Sequence, residues 1–147
     1  MLVTKIFTFD SAHALTKYYG KCERLHGHTY KLEVTVEGPV GENGMVIDFV
    51  ILKRIVHRQV LDKLDHHNLN DVFENPSAEL IAQWVWGRLV DLQTLLKTEL
   101  EDPNLGEDLK AYLEDTNDLD RKNEGRVKLY EVKLWESATS FATYRGE

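Results

Sequence analysis

With a single cysteine, Cys22, among 147 residues, the chain has no internal disulfide to lean on. Its fold must rest on a packed core, and the thiol is either inert packing or a reactive group. A reducing cytoplasm suits both, and a cytoplasmic location is expected. No apolar run approaches the roughly 18 residues needed to cross a bilayer, and the opening MLVTKIFTFD lacks a signal-peptide pattern, so no membrane partner is expected. Repeats and low-complexity tracts are missing as well. Basic charge is scarce: 18 Lys and Arg stand against 25 Asp and Glu, a net of −7. The deficit is local, because residues 98–126 hold ten acidic and four basic groups while the remainder is nearly balanced. A chain without a basic face is a poor nucleic-acid binder, and none is expected as partner. What is present, 42% hydrophobic and 29% charged residues, fits one globular domain over residues 1–147 with a real core.

Residues 2–9, rich in β-branched and aromatic types, predict a first strand that runs on toward His13. Residues 26–38 alternate as a second strand, and pairing the two antiparallel would bring His13 near His26 and His28. Asp48 caps a helix predicted over 49–64, with Leu52, Ile55, Val56, Val60 and Leu64 on its apolar stripe. Asn75-Pro76-Ser77 opens a second helix to about residue 97. Residues 98–126 read as a solvated acidic excursion, with a short helix around 106–114. Strands at 126–136 and 140–144 follow, the first placing Tyr130, Val132, Leu134 and Glu136 on one face. The predicted class is α+β: a four-stranded antiparallel sheet carrying two helices on one face, in the order ββααββ. Such a short sheet has two open edges, which suggests pairing with other subunits.

Cys22-Glu23-Arg24-Leu25-His26-Gly27-His28 concentrates the chemistry. On a strand His26 and His28 share a face with Tyr30, Leu32, Val34 and Val36, about 6.5–7 Å apart and able to lean onto one ion. Gly27 between them removes a side chain from the other face and permits close approach of another backbone. With His13 this makes three imidazoles and an open fourth position, a catalytic rather than structural zinc arrangement, although copper or nickel would also bind. A thiol beside a dication would be acidified, making Cys22 a candidate base or nucleophile; its alternative is a small buried hydrophobe. Asp65-His66 reads either as an oriented imidazole for proton transfer or as a helix C-terminus. Glu136, ending an apolar strand face, needs a partner: the N–H pair of a heterocycle, or Arg145 or a lysine. His57 is expected to be solvated and His67 a surface residue.

"FDSAHAL" around His13, "CERLHGH" at 22–28, "VIDF" at 46–49, "LDHHNLND" at 64–71, "ENPSAE" at 74–79, "WES" at 135–137 and "YRGE" at 144–147 together resemble the 6-pyruvoyltetrahydropterin synthase superfamily. The set is most similar to its 6-carboxytetrahydropterin synthase branch, of queuosine biosynthesis; the acidic stretch looks longer than is typical. The resemblance implies a tunnelling fold in which sheets of three subunits form a barrel and two trimers stack as a homohexamer, with sites between subunits. It implies His13, His26 and His28 as Zn2+ ligands, Cys22 as catalytic thiol, Asp65 and His66 as proton relay, and Glu136 as anchor of the pterin ring. The implied reaction is zinc-dependent conversion of 7,8-dihydroneopterin triphosphate to 6-carboxytetrahydropterin, with acetaldehyde and triphosphate released. Alternatives are the 6-pyruvoyltetrahydropterin synthase reaction, a non-catalytic pterin- or metal-binding protein of the same fold, and a zinc hydrolase. Lys21 and Arg24 are candidates for holding the triphosphate.

Overall fold

The computed structural model describes residues 1–20, 23–41, 44–108, 110–111 and 127–147. Strand β1 (Leu2–His13) pairs antiparallel with β2 (His26–Glu37), in a register that sets Leu2 opposite Glu37 and His13 opposite His26. Alternation decides which side chains go inward. Phe7, Phe9, Ser11 and His13 of β1 are buried, as are Tyr30, Leu32, Val34 and Val36 of β2, while Ile6, Thr8 and Asp10 face outward.

Asp48 accepts hydrogen bonds from the amides of Val50 (2.7 Å) and Ile51 (3.3 Å) and starts α1 (Phe49–Val56). The helix continues through a π-helical turn, His57–Leu61, into α2 (Asp62–Leu64). Leu52, Ile55, Val56, Val60 and Leu64 are buried in the core, as the apolar stripe predicts, and Ile51 joins them. His57 is exposed, as expected, and its ring meets Phe7 edge-on at 6.0 Å.

Three expectations are corrected. First, the sheet has five strands in the order β3-β1-β2-β4-β5, not four, and one pairing is parallel. Beyond α2 the chain runs along the edge of β1, where β3 (His67–Asn68) pairs with Ser11 and Ala12. Two polar residues carry no alternating pattern, so composition cannot announce such a strand. Second, the helix expected over residues 77–97 is two helices, α3 (Ala78–Leu89) and α4 (Leu92–Leu100). Ser77 caps the first through the Leu80 amide, and Asp91 caps the second through the Thr94 amide. The break falls where Asp91 offers a fresh cap, while the apolar stripe runs on across it. Third, the excursion begins packed rather than solvated. Glu99 is buried and takes Arg54 Nε at 3.1 Å and Arg58 Nε at 3.0 Å; Asp102 holds the other ends of both guanidinium groups at 2.9 and 2.6 Å. Leu105 is buried too. Residues 107–108 and 110–111 are helical while Gly106 is not, and the rest of the short helix expected around 106–114, with residues 112–126, lies outside the described residues.

β4 (Lys128–Ser137) pairs with β2, and β5 (Ser140–Tyr144) with β4, both antiparallel. A bulge shifts the register: Leu129 stands opposite Val36 and Glu131 opposite Thr35. Leu129 is therefore buried in place of Tyr130, which lies half-buried below the Arg145 guanidinium, 5.4 Å from its ring. Beyond the bulge Val132, Leu134 and Glu136 keep the expected face.

Candidate metal centre and the cleft beside it

The β1–β2 register brings His13, His26 and His28 together at one end of the sheet, their ring centroids 4.6, 4.7 and 5.0 Å apart. One nitrogen from each lies within 4.8 Å of the other two. Loops hold two of the rings. Asn70 grips the backbone of Ala14 through both its side-chain oxygen (2.8 Å) and its nitrogen (2.9 Å), and Thr16 donates its amide to Asn75 at 3.1 Å. This strap carries the Pro76 carbonyl to within 2.8 Å of His13 Nδ1. His26 Nδ1 lies 2.7 Å from the Arg24 carbonyl.

A carbonyl only accepts, so both Nδ1 atoms carry hydrogen and both Nε2 atoms of the neutral rings present lone pairs. Yet His13 Nε2 and His26 Nε2 face each other at 3.1 Å. Two lone pairs at that distance repel unless a cation lies between them. His28 Nε2 is buried and has no hydrogen-bond partner among the described residues, a cost a native interior rarely leaves standing. Its ring is held below the ordinary histidine value, foremost by burial and further by His13 and His26, against the opposing pull of Glu136. Neutral imidazoles with free Nε2 lone pairs are what a metal requires, and the donor set fits one. Glu136 closes the group: its oxygens stand 3.9 Å from His13 Nε2 and 3.8 Å from His28 Nε2. Beneath it Tyr30 is fully buried, stacked on Phe9 at 4.9 Å, with its hydroxyl 3.2 Å from His13 Nδ1. Burial foremost, then the Glu136 charge, raises the phenol and keeps it protonated.

Asp65 and His66 form a separate group. Asp65 Oδ1 accepts the Asp10 amide at 3.0 Å, and the His66 amide donates to the Asp10 carbonyl at 2.7 Å. His66 adopts a left-handed φ of 58°, among the described residues a conformation otherwise seen only at glycines. Its Nε2 is 4.0 Å from Asp65 Oδ2, and its side chain is 78% exposed. Asp10 and Thr29 have the strand parity opposite to the histidines, but His28 shares a cleft of about 580 Å³ with Asp10, Gly27, Thr29 and His66. The closest atom to a Cβ at Gly27 would be the Ser11 carbonyl oxygen at 3.7 Å, an ordinary contact. Among the described residues no backbone crowds Gly27, and the glycine lines the cleft. His67 is exposed, its Nδ1 2.6 Å from the Asp65 carbonyl. Cys22 and Lys21 lie outside the described residues, and the Arg24 side chain is exposed.

Sequence reasoning missed Asp10, the roles of the Arg24 and Pro76 carbonyls, and Tyr30 as a neighbour of His13. Only Tyr30 left a signal, since it shares strand parity with His26 and His28.

Fold and site define an α+β protein whose sheet carries a three-histidine group able to hold a metal. Residues 2–117 match the family described as 6-pyruvoyl tetrahydropterin synthase, and the chain belongs to that family. It is 34% identical to 6-carboxy-5,6,7,8-tetrahydropterin synthase of Haemophilus influenzae, over 97% of each chain. It is 32% identical to 6-pyruvoyl tetrahydrobiopterin synthase of Dictyostelium discoideum, over 100% of this chain and 97% of that one. Among solved structures, 6-pyruvoyl tetrahydropterin synthase of Caenorhabditis elegans has the same fold, with a TM-score of 0.69 at 24% identity over 100% of this chain and 96% of that one.

Proposed function

We propose that this protein is a zinc-dependent lyase that converts 7,8-dihydroneopterin triphosphate to 6-carboxy-5,6,7,8-tetrahydropterin, with release of acetaldehyde and triphosphate, in queuosine biosynthesis. The observation that carries the metal-dependent reading is the convergence of His13, His26 and His28, two of them with tautomers set by backbone carbonyls. The near full-length likeness to the Haemophilus protein supports the particular reaction. Zinc held by the three imidazoles would supply Lewis acidity toward the side-chain oxygens of the substrate.

The rest is the work of the chain. Glu136, at the rim of the group and 26% exposed, offers two carboxylate oxygens to the N–H pair of the pterin ring and so orients it. Buried Tyr30 and the Pro76 carbonyl keep the His13 ring from turning. The Cys22 thiol and the His66 imidazole, backed by Asp65, move protons at the substrate side chain, each contributing on the order of 10²–10⁴-fold. The active unit is a homohexamer, a dimer of trimers, built from one domain per chain in the cytoplasm, and its mass is measurable by sedimentation.

One assay tests the reading. The zinc-loaded protein is incubated with dihydroneopterin triphosphate and its products are separated by liquid chromatography with mass detection. 6-Carboxytetrahydropterin together with acetaldehyde is the expected result. The likeness to the Dictyostelium protein favours one competitor, triphosphate elimination that stops at the pyruvoyl product. Pyruvoyl product without acetaldehyde would overturn the first reading in favour of that one.

A further inference from the structure

We propose that Asn70 is a positioning residue for the metal group, fixing the His13 backbone from the same segment that clamps the His13 ring; this rests on the metal-binding reading given to His13, His26 and His28. His13 stands where β1 runs out of neighbours. Its pairing with β2 ends at His13↔His26, and the pairing with β3 ends one residue earlier, at Ala12↔Asn68. Strands fray where their ladders stop, yet a metal ligand needs a fixed Cα. The Ala14 peptide groups that follow are part-buried and need partners as well.

Asn70 supplies the missing neighbour. After Asn68 the chain turns into a short 3-10 helix, Leu69–Asp71, and presents no further strand to β1. In its place the Asn70 side-chain oxygen accepts the Ala14 amide at 2.8 Å, and its nitrogen donates to the Ala14 carbonyl at 2.9 Å. A side-chain amide carries the same donor and acceptor as a peptide unit, so these two bonds extend the parallel edge past the point where the backbone leaves it. Asn70 is itself well seated: its backbone amide donates to Asn68 Oδ1 at 3.1 Å, and Leu69 beside it is fully buried. Further along, Asn75 accepts the Thr16 amide at 3.1 Å, and the Pro76 carbonyl takes His13 Nδ1–H at 2.8 Å. Residues 70–76 thus hold the ring of His13 and the backbone behind it in one frame. Asp65 and His66 are tied separately, through the amide and carbonyl of Asp10. Asn70 therefore governs how tightly the metal is held, not how a proton is moved.

The full-length Asn70→Ala protein should bind zinc about tenfold more weakly in chelator competition, the lower end of what losing a ligand's support costs. At saturating zinc its kcat should stay within about twofold of native, so the rate curve moves along the free-zinc axis without losing height. Arg88→Ala is the control for a purely structural loss. It forfeits two hydrogen bonds to Gln59, between α3 and the π-helical turn, and should lower the melting temperature while zinc affinity stays native. Native zinc affinity in Asn70→Ala, or an equal loss in Arg88→Ala, would overturn the proposal. Hydrogen exchange on the native, metal-free protein gives a check that no variant's folding can spoil. The Ala14 amide should exchange as slowly as the strand amides before it, and exchange at the rate of an open loop would also overturn the proposal. His26→Ala separates the two levels. If it loses zinc while Asn70→Ala binds like the native protein, only the role of Asn70 fails; if it keeps native affinity, the metal reading fails and takes this inference with it.

Discussion

The two groups that meet the cleft, both at the end of the sheet where β1 closes and β2 begins, are built on opposite terms. The three histidines are packed, and two of them have their outer nitrogens committed to backbone carbonyls at 2.7 and 2.8 Å. One nitrogen of each ring lies within 4.8 Å of those of the other two. Asp10, Asp65 and His66 are held instead by backbone bonds to one another, and the His66 ring is left largely in solvent. The difference follows from the tasks. An ion needs fixed, neutral, desolvated donors, since every degree of ring freedom retained is affinity lost. A proton carrier needs access to water and to substrate, and orientation without immobility.

The sharpest break of this comparison is to delete one ring from each group. His26→Ala should leave a folded protein, because His26 is only half-buried, but cut zinc affinity by well over about a hundredfold, as expected when a ligand rather than its support is removed. His66→Ala should retain one zinc per chain. Metal analysis after exhaustive dialysis reads both. Zinc retained by His26→Ala, or lost from His66→Ala, would erase the division of labour.

A finer cut stays within the packed group. Tyr30→Phe removes one hydroxyl, 3.2 Å from His13 Nδ1, and leaves the stacking on Phe9. Losing a support of a metal ligand should weaken zinc binding about tenfold, and stability without metal should drop by about 1 kcal/mol. Chelator competition and denaturant unfolding measure the two separately. An unchanged zinc affinity would mean that the Pro76 carbonyl alone holds the His13 ring.

This contrast was half legible beforehand. The strands that bear the histidines are written in β-branched and aromatic residues, and period-two parity alone sets His26 and His28 on one face with Tyr30. Pairing β1 with β2 then delivers His13, because the turn between them admits an antiparallel register. Features made by backbone were invisible. The carbonyls of Arg24 and Pro76 belong to any residue type, so nothing in the letters marks them as clamps. The two-residue strand β3 is too short to show a period, and the bulge that trades Tyr130 for Leu129 violates the period that did show. Glu99 reads as one more solvated acid in an acidic stretch, and only the fold brings Arg54 and Arg58 to it. Asp10 was hidden for a related reason: its ties to the relay pair run through its amide and carbonyl.

The smallest expected effect concerns the protein stripped of zinc. In an unfolded chain the His28 ring titrates near about 6.5; in the folded chain burial holds it lower. Between those two values the unfolded state binds more protons than the folded one, so stability rises with pH through that window. Above it both forms are neutral and His28 contributes nothing; below it the full penalty applies. Lowering the pH of the metal-free protein from about 7 to 5 should therefore reduce its melting temperature, and His28→Gln should flatten that fall while leaving the contribution of the carboxylates in place. Scanning calorimetry on the two proteins isolates the difference. Equal slopes would show that the unpartnered His28 Nε2 is no burden to the metal-free fold, and would remove one of the two arguments, beside the facing lone pairs of His13 and His26, that this end of the sheet is built around a cation.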